Sequence, residues 1–193
     1  MKLALLIALS YLLGSVPFGL IFARARGVDL RRVGSGNIGA TNALRAVGKA
    51  AAFLTLAGDL LKGTAAVALG RAFGLDAAGQ GALGLAAVAG HDFSIFLRLR
   101  GGKGVATSIG VLLIYSPLAG ILTVAIWLIA VLSTRYSSLG AVVSFACLPA
   151  VIALVDFGAA KLAVAAVMAP LLIWKHRENI KRLLEGREGR VGG

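Results

Sequence analysis

The chain has very little cysteine, and this narrows the classes of protein it can belong to. Its one cysteine, Cys147, lies inside an apolar run, so neither a disulfide framework nor a CxxC metal or redox motif is possible. Only two histidines occur, His91 and His176, and neither belongs to a cluster of cysteines or carboxylates with the spacing of zinc ligands. We therefore expect no metal site.

Charged residues are scarce as well. They make up 15% of the 193 residues, whereas 59% are hydrophobic. This composition excludes an ordinary soluble domain and is typical of a polytopic membrane protein, with membrane lipid as its surroundings. The net charge of +12 would favour nucleic-acid binding in a soluble protein, but no aromatic stacking platform accompanies it here, so we expect no nucleic-acid partner.

Long apolar runs predict helices that span the membrane. The first run, 3–23, has no charged residue and is long enough for a hydrocarbon core of about 30 Å. A cleaved signal peptide is the alternative for this run, but no small-residue cleavage site precedes Arg24. The predicted spans are 3–23, 49–70, 77–97, 103–116, 117–133, 139–155 and 157–174.

The segment 105–132 is ambiguous, because it fits either one kinked helix or two helices that meet at Tyr115-Ser116-Pro117. With two helices, sixteen basic residues fall on one side of the membrane and three on the other. Since basic residues accumulate on the cytoplasmic side, we predict two helices. The predicted fold is an all-α bundle of seven transmembrane helices in a single membrane domain, 1–193, with the amino terminus outside and the carboxyl terminus in the cytoplasm.

Three polar stretches fall on the predicted cytoplasmic side and are expected to meet at one membrane surface. The predicted cytoplasmic segments are 24–48, 98–102, 134–138 and the tail 175–193. The polar stretches are GSGNIGATNALR, GHDFSIFLRLRGGKGVAT and HRENIKRLLEGRE. The end of the tail, GREGRVGG, is expected to be mobile.

The first polar stretch has the composition of an anion site. Gly34 and Gly36 permit turns that point backbone N–H groups into a concave nest, and Arg45 suits phosphate. Short polar side chains can add hydrogen bonds: Ser35, Asn37, Thr41 and Asn42. A flexible connection between helices is the alternative, but this density of donors beside an arginine favours phosphate binding.

The second polar stretch again combines glycine with a cation, in Gly102, Lys103 and Gly104, with Thr107 in the first turn of the helix that follows. It differs from a Walker A loop, because Gly104 stands where that motif needs Ser or Thr. We therefore predict no nucleotide hydrolysis. Lys103 is predicted to face a phosphate or a developing oxyanion.

Asp59 and Lys62 lie three residues apart inside an apolar span, so they share a helix face and can pair. We predict that this ion pair braces the site, and we assign His91 to the same bracing group. His176 and Asn179 also share a helix face. His176 is either a hydrogen-bonding and proton-handling residue or a capping residue at the membrane interface.

Two acyl-transfer motifs are absent. G-x-S-x-G does not occur around Ser35, so an esterase elbow is not indicated. Phe96 stands five residues after His91, where the common membrane glycerolipid acyltransferases carry an aspartate.

The order of the polar and apolar blocks resembles that of the bacterial acyl-phosphate:glycerol-3-phosphate acyltransferases, the PlsY family. The similar blocks are SYLLGSVPFGLIFA, GSGNIGATNALR, GDLLKG, GHDFSIFLRLRGGKGVAT, RYSSLGA and HRENIKRLLEGRE. The segment Arg98-Leu99-Arg100 departs from the pattern, in which one of these positions is expected to be apolar or aromatic.

The resemblance implies an enzyme of the bacterial inner membrane, with its active site facing the cytoplasm and no metal, nucleotide or other cofactor. It implies transfer of a fatty acyl group from acyl phosphate to the 1-hydroxyl of glycerol 3-phosphate, which gives lysophosphatidic acid and inorganic phosphate. Thr107 is one of the positions that match the family. Three other matching residues would bind phosphate and stabilise negative charge: Ser35, Arg45 and Lys103. The residues implied to orient the acceptor are Asn37, Thr41, His176 and Asn179.

Three questions of mechanism and function stay open. Either His176 or a substrate phosphate accepts the proton of the hydroxyl, and a covalent acyl-Ser35 intermediate is a third route. A phosphate or organophosphate transporter is the alternative function, since basic glycine loops and an intramembrane ion pair suit it too. The sequence shows no inverted repeat, which favours the enzyme.

Overall fold

The computed structural model describes Met1–Val191, and the regular secondary structure of this range is helical. The ten α-helices of these residues are α1 Lys2–Ser15, α2 Phe18–Arg24, α3 Ala40–Ala46, α4 Lys49–Ala72, α5 Ala77–Asp92, α6 Val105–Tyr115, α7 Pro117–Thr134, α8 Ser137–Val155, α9 Ala159–Lys175 and α10 Arg177–Leu184. The chain divides into two compact units, Met1–Val111 and the residues from Leu112 onward. The single membrane domain 1–193 stays a prediction.

The all-α prediction is confirmed over the described residues. Among them, the stretches long and apolar enough to cross a membrane are Lys2–Arg24, Lys49–Ala72, Pro117–Thr134 and Ser137–Val155. Helices α9 and α10 bend by 55° and count as a fifth stretch if they form one span. Since α5 and α6 have only 16 and 11 residues, the count of seven spans and their orientation remain predictions.

The predicted division of the segment 105–132 into two helices is confirmed. Helix α6 ends at Tyr115 and α7 begins at Pro117. Proline is well suited to the first position of a helix, because its fixed φ fits and its missing N–H would have no partner there.

The first predicted span, 3–23, is not one continuous helix, because Pro17 separates α1 from α2. A proline removes one backbone donor and disrupts the helix before it, so carbonyls near the break need other partners. Ser94 Oγ donates to Ser15 O at 2.6 Å, and Lys62 Nζ donates to Val16 O at 3.0 Å. Side chains from α4 and from the segment after α5 therefore satisfy the carbonyl groups at the break.

Backbones touch directly where the helices of the unit Met1–Val111 cross. A Cβ atom added at Gly14 of α1 would lie 2.1 Å from Ala87 O of α5, and one at Gly90 would lie 2.2 Å from Tyr11 O. The α4–α6 contact is equally close, since a Cβ at Gly63 would lie 2.1 Å from Thr107 O. Membrane helices commonly associate through such small residues, which allow close van der Waals packing.

A hydrophobic cluster lies beneath the first polar stretch and ties it to α2. Its buried members are Leu20, Ala23, Leu30, Ile38 and Ala43. Leu97, which ends the 3₁₀ turn after α5, packs against the same cluster. The cluster therefore supports the first polar stretch and the approach to the second.

In the unit that begins at Leu112, α7 packs against α8, and α8 packs against α9 and α10. Asp156, between α8 and α9, joins this unit at one end: Lys161 Nζ and Ser116 Oγ both donate to Asp156 Oδ2 at 2.6 Å. The hydrogen bond from Lys161, followed by that from Ser116, holds the pKa of Asp156 below its usual value.

Candidate functional site

The chain enters the first polar stretch through a short turn held by Asp29. Asp29 Oδ1 accepts hydrogen bonds from the backbone N–H of Arg31 at 3.1 Å and from Arg31 Nε at 3.0 Å, and Arg31 Nη2 donates to Oδ2 at 2.6 Å. These bonds hold the pKa of Asp29 well below its usual range and raise that of Arg31. Arg31 is thus paired with a carboxylate, and the exposed Arg45 lies elsewhere, on α3.

Asn42, on α3, organises the loop from within. Its Oδ1 accepts from the backbone N–H of Ser35 at 3.1 Å. Its Nδ2 donates to three carbonyl oxygens, those of Leu30 at 3.1 Å, Val33 at 3.1 Å and Asn37 at 2.8 Å. Its amide is thus engaged within the loop, and the substrate contact predicted for Asn42 from the sequence stays a prediction.

The glycines of this stretch are required by its geometry. Gly34 and Gly36 have φ values of 57° and 70°, which favour glycine, and a Cβ at Gly34 would lie 2.3 Å from Asn42 Oδ1. Ser35 between them is exposed, and the half-buried Asn37 accepts the N–H of Gly39 with its Oδ1 at 3.2 Å. The loop is therefore an ordered turn that presents Ser35 at the surface.

The second loop, Gly101–Gly104, is attached to the end of α5. The N–H of Gly102 donates to His91 O at 2.9 Å, and that of Gly101 donates to Asp92 O at 3.2 Å. Gly104 has a φ of 74°, and a Cβ there would lie 2.9 Å from Asp92 Oδ1. These contacts fix the backbone on both sides of the half-buried Lys103.

Helix α6 begins directly after this loop and carries Thr107 in its first turn. Thr107 is fully buried, and its Oγ1 has no hydrogen-bond partner among the residues that the structure describes. A buried hydroxyl without a partner is costly. The predicted contact between Thr107 and a substrate stays a prediction, because the hydroxyl has no exposed surface in this structure.

The bracing residues form one buried group. Asp59 Oδ1 lies 2.8 Å from Lys62 Nζ and 3.4 Å from His91 Nδ1. All three side chains are buried, so the i,i+3 pair expected from the sequence exists and includes His91 as a third member. The group lies directly beneath the second loop, since His91 O holds Gly102.

His176 and Asn179 belong to the other unit, where α9 meets α10, and both are buried. His176 Nδ1 donates to Leu172 O at 2.8 Å, so in the neutral ring Nε2 carries the lone pair. Asn179 Nδ2 donates to Glu188 Oε1 at 2.6 Å. Both side chains are therefore held in fixed orientations by neighbours in the same unit.

Glu188 anchors the tail that the sequence suggested to be mobile. Besides Asn179, Ser138 Oγ donates to its Oε1 at 2.7 Å, and Arg182 Nε lies 2.7 Å from Oε2. The N–H of Val191 donates to Arg135 O at 2.7 Å. The mobility expected for the tail stays a prediction, and its last two residues lie outside the described residues.

Sequence reasoning missed three of these functional neighbours: Asp92, Ser94 and Glu188. Asp92 directly follows His91, and a second ionisable residue at the end of an apolar helix was the available signal. For Ser94 no local signal exists, because its partner Ser15 lies 79 residues away. Glu188 has nearby partners in Asn179 and Arg182, but its contact with Ser138 spans 50 residues and is not encoded by spacing.

A family model matches almost the whole chain. The model described as glycerol-3-phosphate acyltransferase covers residues 4–186. This range includes the two glycine loops, the buried group of Asp59, and both His176 and Asn179.

Curated relatives align over nearly their full lengths. A glycerol-3-phosphate acyltransferase of Geobacter sulfurreducens is 46% identical over 186 residues, which cover 96% of each chain. One of Thermus thermophilus is 50% identical over 186 residues, 95% of this chain and 92% of the relative.

Two solved structures share the fold. One is PlsY (YgiH), an integral membrane glycerol 3-phosphate acyltransferase, in its glycerol 3-phosphate form. It has a TM-score of 0.94 and 41% identity, and the match covers 100% of this chain and 96% of that one. The lysophosphatidic acid form has a TM-score of 0.91 and 39% identity, with coverage of 98% and 95%.

Proposed function

The chain belongs to the glycerol-3-phosphate acyltransferase family, and on this basis we propose that it uses acyl phosphate to acylate the 1-hydroxyl of glycerol 3-phosphate. It is an integral membrane acyltransferase of phospholipid synthesis. The products are lysophosphatidic acid and inorganic phosphate. Acyl phosphate as donor and the 1-position as acceptor are the specific parts of the proposal.

The chemistry is a single displacement at the acyl carbonyl. The hydroxyl oxygen of glycerol 3-phosphate forms the new ester bond, and the bond between the acyl carbon and the phosphate oxygen breaks. Acyl phosphate is a mixed anhydride with a good leaving group, so neither a covalent nucleophile nor a metal or other cofactor is required. Alignment of the two substrates and neutralisation of charge supply the acceleration.

In the unit Met1–Val111, two ordered loops have the features needed for phosphate. The first presents Ser35 and carries Arg45 on α3, and the second carries Lys103 between glycines. We assign these three residues to binding phosphate and stabilising negative charge. Asn37 and Thr41 orient the acceptor, and Thr107 contributes its buried hydroxyl.

On the basis of the family, His176 and Asn179 are also proposed to orient the acceptor hydroxyl. With Nδ1 donating to Leu172 O, the neutral imidazole offers Nε2 as the acceptor of a proton. Either Nε2 or a phosphate oxygen of the substrate takes the hydroxyl proton. Single-turnover acyl transfer by a His176→Ala variant separates the two routes.

We further propose seven spans, with the amino terminus outside and both glycine loops on the cytoplasmic face of the bacterial inner membrane. The asymmetric distribution of basic residues supports this orientation. For spans as short as α6, neighbouring helices or local thinning of the bilayer would make up the missing length.

The observation that carries the proposal is the loop folded around Asn42. A flexible connection would not need a buried amide that makes four hydrogen bonds to hold a serine and two positive-φ glycines in place. Such order is what a preformed anion site requires.

Purified protein in detergent tests the function. We expect it to release inorganic phosphate from palmitoyl phosphate only when glycerol 3-phosphate is added, and a chelator should not change the rate. An Arg45→Gln variant should lose about 100-fold in kcat/KM, a magnitude typical of removing one charge-stabilising donor. Arg32→Gln, which removes another exposed arginine of the same segment, is the matched control and should stay near wild type.

Two results would contradict the proposal. If phosphate release were absent, or were independent of glycerol 3-phosphate, acyl transfer from acyl phosphate would be excluded. Since transport needs a sealed compartment and detergent micelles provide none, acceptor-dependent release would exclude a protein that only transports.

A further inference from the structure

Four ionisable side chains are buried together where α4 packs against the end of α5. The exposed fractions of Asp59, Lys62, His91 and Asp92 are 3%, 2%, 5% and 0%. Burying charged or polar groups in an apolar span is costly, so such groups commonly serve a specific purpose. A simple ion pair would account for Asp59 and Lys62 but not for the two residues of α5.

Lys62 and His91 have separate tasks, although both contact Asp59 Oδ1. Lys62 also donates to Val16 O at 3.0 Å and so holds the break between α1 and α2. His91 Nδ1, 3.4 Å from Asp59 Oδ1, directs its ring the other way, towards the second loop. The contact between Asp59 and His91 thus links the interior of α4 to Gly101–Gly104.

The imidazole of His91 packs directly on Gly102. A Cβ atom at Gly102 would lie 2.0 Å from His91 Nε2, so the ring occupies the space where a side chain would be. The carbonyl oxygen of His91 holds the same residue by accepting the N–H of Gly102 at 2.9 Å. His91 therefore contacts Gly102, the residue directly before Lys103, with both its main chain and its side chain.

We propose that His91, oriented by Asp59, is a positioning residue that sets the backbone of Gly101–Gly104 and with it the place from which Lys103 meets a substrate phosphate. This inference rests on the proposed function for its effect on catalysis, but not for its effect on the loop. His91 acts through Gly102 and contacts no substrate itself. Small displacements of a charge-stabilising group cost activity steeply, which gives the contact its importance.

A pair of compensating substitutions, one at Gly102 and one at His91, tests the contact between these residues. Gly102→Ala should lower kcat/KM by about 100-fold, because the new methyl group meets the imidazole and moves the loop. His91→Ala removes the ring, so adding it to Gly102→Ala should recover at least about tenfold of the lost activity.

Gly101→Ala is the matched control for Gly102→Ala in this pair of substitutions. A Cβ at Gly101 would lie 1.9 Å from the backbone oxygen of His91, which no substitution at position 91 removes. His91→Ala should therefore not rescue Gly101→Ala. Equal rescue of both glycine variants, or no rescue of Gly102→Ala, would overturn the proposal.

A KM measurement separates positioning from a purely structural role. If His91→Ala only reduced the amount of folded enzyme, apparent kcat would fall and the KM values would not change. We expect the KM for at least one phosphate-bearing substrate to rise about tenfold in equally folded protein. In His91→Asn the amide nitrogen can take the place of Nδ1 beside Asp59, so the KM should rise less in this variant than in His91→Ala. Unchanged KM values in both variants would contradict the inference.

Hydrogen–deuterium exchange tests the loop without any assay of activity. The amides of Gly101 and Gly102 should exchange at least about tenfold faster in the His91→Ala variant than in the His91→Asn variant. A peptide that covers Asn42 should exchange as in the wild type, because its hydrogen bonds do not involve α5.

The exchange result also separates failure of this inference from failure of the proposed function. Faster exchange in a protein without acyl-transfer activity would support the positioning role of His91 and contradict the function. Unchanged exchange at Gly101 and Gly102 would overturn the inference, whatever the activity.

Discussion

At the scale of single residues, the buried amide of Asn42 determines the shape of the loop in the first polar stretch. Asn42 accepts the N–H of Ser35 and donates to the carbonyl oxygens of Leu30, Val33 and Asn37. These partners lie on both sides of Gly34 and Gly36, so the amide replaces the regular hydrogen bonds that the loop lacks.

Asn42→Asp keeps the shape of the side chain but replaces the donor by an oxygen. We expect this variant to be destabilised by about 2–4 kcal/mol, because a buried carboxylate oxygen would face three carbonyl oxygens. Activity should fall by more than about tenfold, since Ser35 loses its fixed position. Thermal unfolding in detergent and kcat/KM measure the two effects.

Asn37→Asp is the matched control for this substitution. Asn37 is half-buried and its Oδ1 is an acceptor, which aspartate preserves. Its unfolding temperature should change little, even if the KM for glycerol 3-phosphate rises. Unfolding of Asn42→Asp at the wild-type temperature would show that the loop does not depend on this amide.

Residue spacing predicted local contacts well and distant ones poorly. The pair of Asp59 and Lys62 follows from their separation by three positions on one helix, and the distance of 2.8 Å agrees. The ring of His91 against Gly102 depends instead on how the chain returns after α5, which spacing does not encode. The four hydrogen bonds that Asn42 makes within its loop likewise could not be predicted from spacing, and its predicted contact with a substrate stays a prediction.

At the scale of elements, proline explains both a correct and an incorrect helix boundary. Pro117 follows a polar Tyr-Ser pair, and the charge distribution supported a break there, so the boundary between α6 and α7 was predicted. Pro17 lies in an otherwise apolar run, and proline is tolerated in membrane helices when neighbours satisfy the freed groups. Those neighbours, Lys62 and Ser94, come from distant parts of the chain.

The carboxylate of Glu188 makes several of the contacts that hold the segment after α10, so the stability of this segment should depend on pH. Although burial raises the pKa of Glu188, hydrogen bonds from Ser138, Asn179 and Arg182 outweigh burial and hold it below the usual 4.5. A lowered pKa in the folded state means that the stabilisation is complete above the unfolded pKa and is lost as the pH falls through the folded value.

We therefore expect the wild-type unfolding temperature to decrease as the pH is lowered below about 4.5, the ordinary value for a glutamate. Glu188→Gln should be less stable than the wild type at pH 7 by about 1–3 kcal/mol, and its unfolding should change less with pH. Thermal unfolding in detergent from pH 7 to pH 3.5 measures this.

Glu178→Gln provides the comparison, because the Glu178 side chain is 69% exposed and only weakly paired with Arg177 at 3.9 Å. It should follow the wild type at each pH. Parallel curves for Glu188→Gln and the wild type would contradict the assigned role of Glu188.

At the scale of the whole molecule, composition determined the class and left the count of spans undecided. Hydrophobicity identified the long helices, because a span needs about 20 apolar residues. Hydrophobicity could not decide whether α5 and α6 span the membrane. These helices have only 16 and 11 residues, so the answer depends on the neighbouring helices and the local bilayer thickness. Orientation rests on the basic residues alone.

Accessibility of single cysteines tests the proposed orientation. In a background with Cys147→Ala, the exposed positions 32, 100 and 187 should react with an impermeant maleimide only after the membrane is opened. Cysteines at the exposed positions 73 and 157 should react in intact cells. Labelling that places 32, 100 and 187 on different faces would exclude the proposed topology.

The glycine contacts of α1 with α5 have a thermodynamic consequence. Backbones that touch at Gly14 and Gly90 are held by dispersion forces, since helices already in lipid expel no water when they associate. A large heat capacity of unfolding arises when apolar surface becomes exposed to water. Separation of these helices within a bilayer should therefore have a small heat capacity, and their association should not weaken on cooling as the core of a soluble protein does.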